Sequence, residues 1–129
     1  MKKNGFTLVE LLGVITILAM LGLIIVPVVS NILSDKKREL YNIQIRNIES
    51  GASNYVADHI FEINIPIGSS RGITLGRLKD GGYLDDSIVD PISRVEFDNS
   101  TVIIITNTSN GFVFKVCVSG VSCDAVSEL

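Results

Sequence analysis

Charged residues are missing from Leu11 through Ser34 and return at Asp35. The uncharged run is apolar on every side of a helix. A hydrocarbon core of roughly 30 Å needs about 20 helical residues at about 1.5 Å each, and Leu11–Leu33 is long enough. A buried core helix would share this pattern, but the rest of the chain is too small to wrap a helix that is apolar all round. A secretory signal core is shorter, roughly 7–15 residues, and tolerates poorly a carboxylate such as Glu10 near its start. The pattern therefore predicts a retained membrane-spanning helix.

Beyond Asp35 the period changes. Tyr41, Ile45, Ile48, Ala52, Tyr55 and His59 recur at spacings of three and four, which places them on one face of a helix reaching about Ile60. Lys37, Arg38, Glu39, Arg46, Glu49 and Asp58 take the other positions. Gly51 weakens this helix by about 1 kcal/mol relative to Ala without ending it. Residues 61–73 hold Pro66, Gly68, Ser69, Ser70 and Gly72 and read as a loop. Thr74 can cap a short helix, Leu75 to Lys79, which Gly81 and Gly82 stop. Arg94 to Phe97 reads as a short strand, and Thr101 to Thr106 as a strand rich in Ile and Val. After the turn cluster Asn107 to Gly111, Phe112 to Val118 alternates, with Phe112, Phe114, Val116 and Val118 on one side. A long helix lying on a small antiparallel sheet is an α+β arrangement.

Three residues interrupt the spanning helix. Pro27 removes a backbone donor and favours a kink. Gly13 and Gly22 let helices approach closely in lipid.

The first ten residues are Met-Lys-Lys-Asn-Gly-Phe-Thr-Leu-Val-Glu. Lys2 and Lys3 precede Gly5, Phe6-Thr7-Leu8-Val9-Glu10 follows, and then comes the spanning helix. This arrangement resembles the processing signal of type IV pilins and the related pseudopilins, across residues 1 to 30 and including Pro27. The resemblance implies a cut between Gly5 and Phe6 by a prepilin peptidase on the cytoplasmic side, and methylation of the new Phe6 amine. It also implies a pilin-like fold and a helix that loosens near Gly22 and Pro27 in an assembled filament. The stretch Leu75 to Pro91, with Gly82-Tyr83-Leu84 and Asp90-Pro91, resembles a connecting segment of pilin-like proteins of Gram-positive bacteria.

Glu10 fits that reading on physical grounds. A carboxylate inside the apolar boundary costs about 2.5–3.5 kcal/mol on insertion scales, so it needs a partner. The nearby cations in sequence are Lys2, Lys3 and the amine at the chain start. After a cut at Gly5, staggered parallel helices would bring one subunit's Glu10 to the next subunit's Phe6 amine and so set the axial register. The alternative is a carboxylate that snorkels to the headgroups. Counting Lys and Arg on either side of the span leaves its orientation near a tie. The resemblance implies a cytoplasmic N-terminus.

Charge narrows the remaining functions. Glu10 is the one acid and Lys2 and Lys3 the two bases before Asp35, so thirteen of the 14 acids and nine of the 11 bases lie from Asp35 onward. An acidic outer part gives no electrostatic reason to expect nucleic-acid binding. Cys117 and Cys123 lie in that part and read as a disulfide rather than two thiols. His59, the only His, sits on the docking face with no triad partner and reads as packing. Asp80, Asp85, Asp86 and Asp90 match no EF-hand spacing, and they read as a solvated acidic turn rather than a calcium site. Asn99-Ser100-Thr101 and Asn107-Thr108-Ser109 are glycosylation sequons of the kind turns carry by chance. No catalytic set, cofactor site or metal pattern is apparent.

The expected organisation is a leader over residues 1–5 and a transmembrane, filament-core half-helix over 6–34. An amphipathic half-helix follows over 35–60, and an extracytoplasmic part with a small sheet over 61–129. The expected function is a structural subunit of a type IV pilus-like surface filament. The alternatives are a pseudopilin of a type II secretion or DNA-uptake apparatus, and a signal-anchored binding module that does not polymerise. The partners implied by the resemblance are other pilin subunits, the prepilin peptidase and methyltransferase, the assembly platform with its ATPase, and the membrane before assembly.

Overall fold

The computed structural model describes residues 4–118, 123 and 127–129. The elements are α1 (Leu8–Asp58), β1 (Ser70–Thr74), α2 (Leu75–Asp80), β2 (Val102–Thr108) and β3 (Gly111–Cys117). The three strands form one antiparallel sheet in the order β1-β2-β3. This long helix followed by a small antiparallel sheet is the α+β, pilin-like arrangement. Two compact units divide the described residues, one ending at Lys37 and the other beginning at Arg38.

The first unit contains the apolar part of α1. Its large side chains, from Leu11 to Leu33, are all exposed, and none of its most apolar stretch is buried. The helix is long and apolar enough to cross a membrane.

The second unit has its own core. The second half of α1 contributes Ile48, Ala52, Tyr55 and Val56, with Tyr41 and Ile45 packed at the margin. This is the face that the spacing of three and four predicts. The sheet contributes Ile73, Ile103, Ile105 and Val116. Ile103 stands between Ile73 on β1 and Val116 on β3, so a single row of branched side chains crosses the sheet beneath the helix. Leu75 and Leu78 of α2 are fully buried in the same core.

Several boundaries differ from the sequence reading. Helix α1 ends at Asp58 rather than Ile60, because the amides of Glu62 and Ile63 both turn back to the carbonyl of His59. The segment expected to be a loop up to residue 73 contains β1, which pairs along its length with β2. Arg94 to Phe97 is not a strand. A single bridge joins Val89 to Glu96, because the Asp90 carboxylate takes the Ile92 amide and the Ser93 hydroxyl, each at 2.8 Å. Arg94 then adopts φ 59°, and the chain folds into a turn. Thr74 does occupy the N-cap of α2, but its hydroxyl makes no capping bond. The helix amides of Leu75 and Gly76 donate instead to the carbonyls of Thr101 and Asn99, at 2.8 and 2.9 Å. That turn is held by the Asp98 carboxylate, which accepts the Ser100 amide at 2.9 Å. The same bond holds Asp98 below the usual carboxylate range.

Gly81 and Gly82 end α2 as expected. The amides of Gly82 and Tyr83 return to the carbonyls of Lys79 and Leu78, and Gly82 takes φ 76°, a Schellman closure. Gly51 has a packing role that propensity does not reveal. A Cβ there would lie 2.7 Å from Cγ and Cδ2 of Leu84 and 3.0 Å from the carbonyl of Tyr83. Gly51→Ala gains about 1 kcal/mol of helix propensity against an overpacking cost of about 1–3 kcal/mol. We expect net destabilisation of about 1 kcal/mol, seen as a lower urea midpoint for the detergent-solubilised chain. A raised midpoint would contradict this packing.

Candidate processing and assembly segment

Asn4 through Thr7 are not helical. Gly5 has no neighbour within 4 Å of its missing Cβ, and the Phe6 side chain is 83% exposed. The Gly5–Phe6 peptide therefore lies in an open, irregular stretch immediately before α1.

The helix starts where it does because of two reciprocal bonds. The Thr7 amide donates to Oε2 of Glu10 at 2.9 Å, and the Glu10 amide donates to Oγ1 of Thr7 at 3.2 Å. The Leu11 amide then makes the first helical turn onto the carbonyl of Thr7. Thr7-x-x-Glu10 is a capping box. Its consequence is geometric. The Glu10 carboxylate is drawn back along the helix to the amide of the residue that follows Phe6. Glu10 thus has a partner within its own chain, which offsets part of the cost of holding a carboxylate at an apolar boundary.

Two hydroxyls along the apolar stretch are also satisfied locally. The Thr16 hydroxyl donates to the Leu12 carbonyl at 2.7 Å, and the Ser30 hydroxyl to the Val26 carbonyl at 3.0 Å. Pro27 sits within α1 and has no amide to give the carbonyl of Leu23. Gly13 and Gly22 have open space where a Cβ would be.

Cys117 and Cys123 are joined, with an S–S distance of 2.08 Å. Lys2 and Lys3, and the Ser119–Ser122 stretch between the two Cys, lie outside the described residues. A loop closed over a separation of six residues gives at most about 2 kcal/mol by chain entropy. Replacing both Cys by Ser should therefore lower stability by no more than that while keeping the circular dichroism of the fold. Loss of the fold would mean that the bond carries more than loop closure.

His59 is half-buried. Its ring stacks on Tyr55 with centroids 4.3 Å apart, and Nδ1 donates to the Tyr55 carbonyl at 2.9 Å. Tyr83 packs edge-on against Tyr55 and donates its hydroxyl to Asp58 at 2.9 Å, which pushes the Tyr83 hydroxyl above its usual range. This is a packing cluster. Asp85 and Asp90 spend carboxylate oxygens on their own turns, and among the described residues no three His, Cys, Asp or Glu side chains gather to hold a metal. Asn107 is not a free sequon either, since its side-chain amide donates to the carbonyl of Ile65 at 2.7 Å.

A family model described as the prokaryotic N-terminal methylation motif matches residues 1–26. The chain thus carries the type IV pilin, or prepilin, signal on the segment just described. Comparison with curated proteins and with solved structures gave no match.

Proposed function

We propose that this chain is a prepilin-type structural subunit of a type IV pilus-like surface filament. A leader over residues 1–5 is removed by a prepilin peptidase, the new N-terminus at Phe6 is methylated, and residues 6–34 anchor the subunit in the membrane before packing into the filament core. Residues 35–129 are carried outside. The observation that carries this reading is the methylation motif at residues 1–26, set directly on a helix whose large apolar side chains are all exposed. Exposure on that scale suits lipid first and neighbouring helices afterwards.

Within this reading Glu10 sets the register by meeting a neighbour's Phe6 amine. Gly22 and Pro27 are the places where the helix loosens on assembly. The role is structural rather than catalytic, and the partners are other pilin-like subunits and the assembly platform with its ATPase. The acidic outer part favours a surface filament over a conduit for nucleic acid. The test is to shear cells that carry the matching machinery and to probe the filaments for this chain. Trimmed subunits in long sheared filaments are expected. Trimmed subunits confined to short, unshearable structures would move the assignment to a pseudopilus. Uncut chains confined to the membrane fraction would sink both.

A further inference from the structure

The second unit carries a groove of about 410 Å³ between α1 and the loop that follows α2. This volume is within the roughly 300–1,000 Å³ of small-molecule sites. Its helix wall is formed by Gln44, Asn47, Ser50 and Asn54, which spacings of three and four bring to one stripe. Exposed positions elsewhere on this half of α1 include the charged Lys37, Arg38, Arg46 and Asp58 and also the uncharged Asn42 and Ser53. This stripe is polar but uncharged. Asn and Ser are poorer helix formers than the Lys, Glu or Arg that could stand there. Asn47, Ser50 and Asn54 are exposed, so core packing does not account for them, and Asn47 donates one amide proton to Gln44 at 3.4 Å. A local choice made against propensity, without a packing gain, is the kind of inconsistency that marks a functional surface.

The opposite wall defines the ligand chemistry. Tyr83 and Leu84 supply apolar surface, and Asp85 and Ser87 add polar atoms, although the Ser87 amide and hydroxyl already donate to Asp85 Oδ1. The Tyr83 ring is fixed in place, its hydroxyl bound to Asp58 and its ring T-shaped to that of Tyr55. Gly51 lets Leu84 come close enough to form the floor. Among the described residues no Lys, Arg or His lines the groove, and Asp85 is the one charged residue that does. Phosphate and carboxylate ligands therefore find no counter-charge, and one carboxylate is too little for a metal ion. Carboxamides both donate and accept, which suits a ligand whose rim is all hydroxyls. A fixed aromatic and a Leu suit that ligand's C–H faces.

We propose that this groove binds a neutral oligosaccharide. The inference is independent of the processing and assembly reading, because every lining residue lies beyond Lys37.

The test uses the full chain in a phosphocholine detergent, since glucoside and maltoside detergents would compete. The probes are maltotriose and an N-acetylglucosamine trimer, with an oligogalacturonate as the anionic control. The readout is the side-chain amide NMR resonances of Gln44, Asn47 and Asn54. We expect saturable shifts with at least one neutral probe and none with the anionic one. Asn47→Ala and Asn54→Ala raise helix propensity and should fold normally, yet each should weaken binding about tenfold. Arg46→Ala, outside the groove, should leave affinity unchanged. Absence of saturable shifts with both neutral probes would overturn the proposal. So would unchanged affinity in both Asn variants. Shifts that depend on protein concentration without sugar would assign the groove to a second copy of the chain, and would also overturn it.

Discussion

Glu10→Val should leave the chain inserted and trimmed, but lower the yield of sheared filaments by several hundredfold. Insertion becomes easier because a carboxylate leaves the apolar boundary. The proposed cut, at Gly5–Phe6, lies in the open stretch outside α1 and does not touch the changed side chain. Assembly suffers because each incoming Phe6 amine would enter the apolar bundle without its partner. Breaking a buried pair by deleting one member costs about 3–5 kcal/mol, and about 1.4 kcal/mol is a factor of ten. The capping box adds a necessary control. Valine at position 10 also removes the Thr7–Glu10 bonds, and a lost cap costs about 1 kcal/mol. Thr7→Val removes the hydroxyl bond while keeping the carboxylate, so it should reduce yield only about fivefold, the equivalent of that cap. Glu10→Gln keeps both the cap and an acceptor and should fall between the two. Equal losses in Thr7→Val and Glu10→Val would mean that the helix start matters and the charge does not. Normal filament yield from trimmed Glu10→Val, with no wild-type subunit present, would remove Glu10 from the assembly mechanism.

Gly5→Val should abolish the cut. Gly5 has no neighbours in the fold, so the valine has room in the subunit itself and should leave its stability untouched. The effect must therefore arise in the peptidase, where a branched side chain next to the scissile peptide crowds the cleavage pocket. The uncut chain should accumulate in the membrane with Lys2 and Lys3 still attached, and filaments should be absent. Co-expression with the peptidase followed by gel mobility and mass measurement reads this directly. Trimming at the wild-type rate would mean that Gly5 is not what the enzyme recognises.

The parts of the fold that are legible in the sequence are those with long, unmixed patterns. The charge-free run and the spacing of Tyr41, Ile45, Ile48, Ala52 and Tyr55 specify α1 and its buried face without help from the rest of the chain. Phe112, Phe114 and Val116 do the same for β3. Strand β1 is different. Ser70-Arg71-Gly72-Ile73-Thr74 shows no clean alternation and includes a glycine, and it is a strand because Ile73 finds Ile103 across the ladder. Arg94-Val95-Glu96-Phe97 has the opposite problem. Its composition favours a strand, but the Asp90 carboxylate binds the Ile92 amide first, and local turn chemistry prevails over propensity. At the candidate site, Gly5, Phe6 and Glu10 stand out by position alone. The bond from Thr7 back to Glu10 is also written in the sequence, as Thr-x-x-Glu. Gly51 is the reverse case, a residue whose purpose appears only when Leu84 is seen against it.

The intact mass of the protein isolated from its native host shows whether the leader is removed and Phe6 methylated. The chain is expected to have lost Met1 through Gly5 and gained one methyl group, with the methyl on the amine of Phe6 in the N-terminal fragment. A mature chain that still carries Lys2 and Lys3 would contradict this.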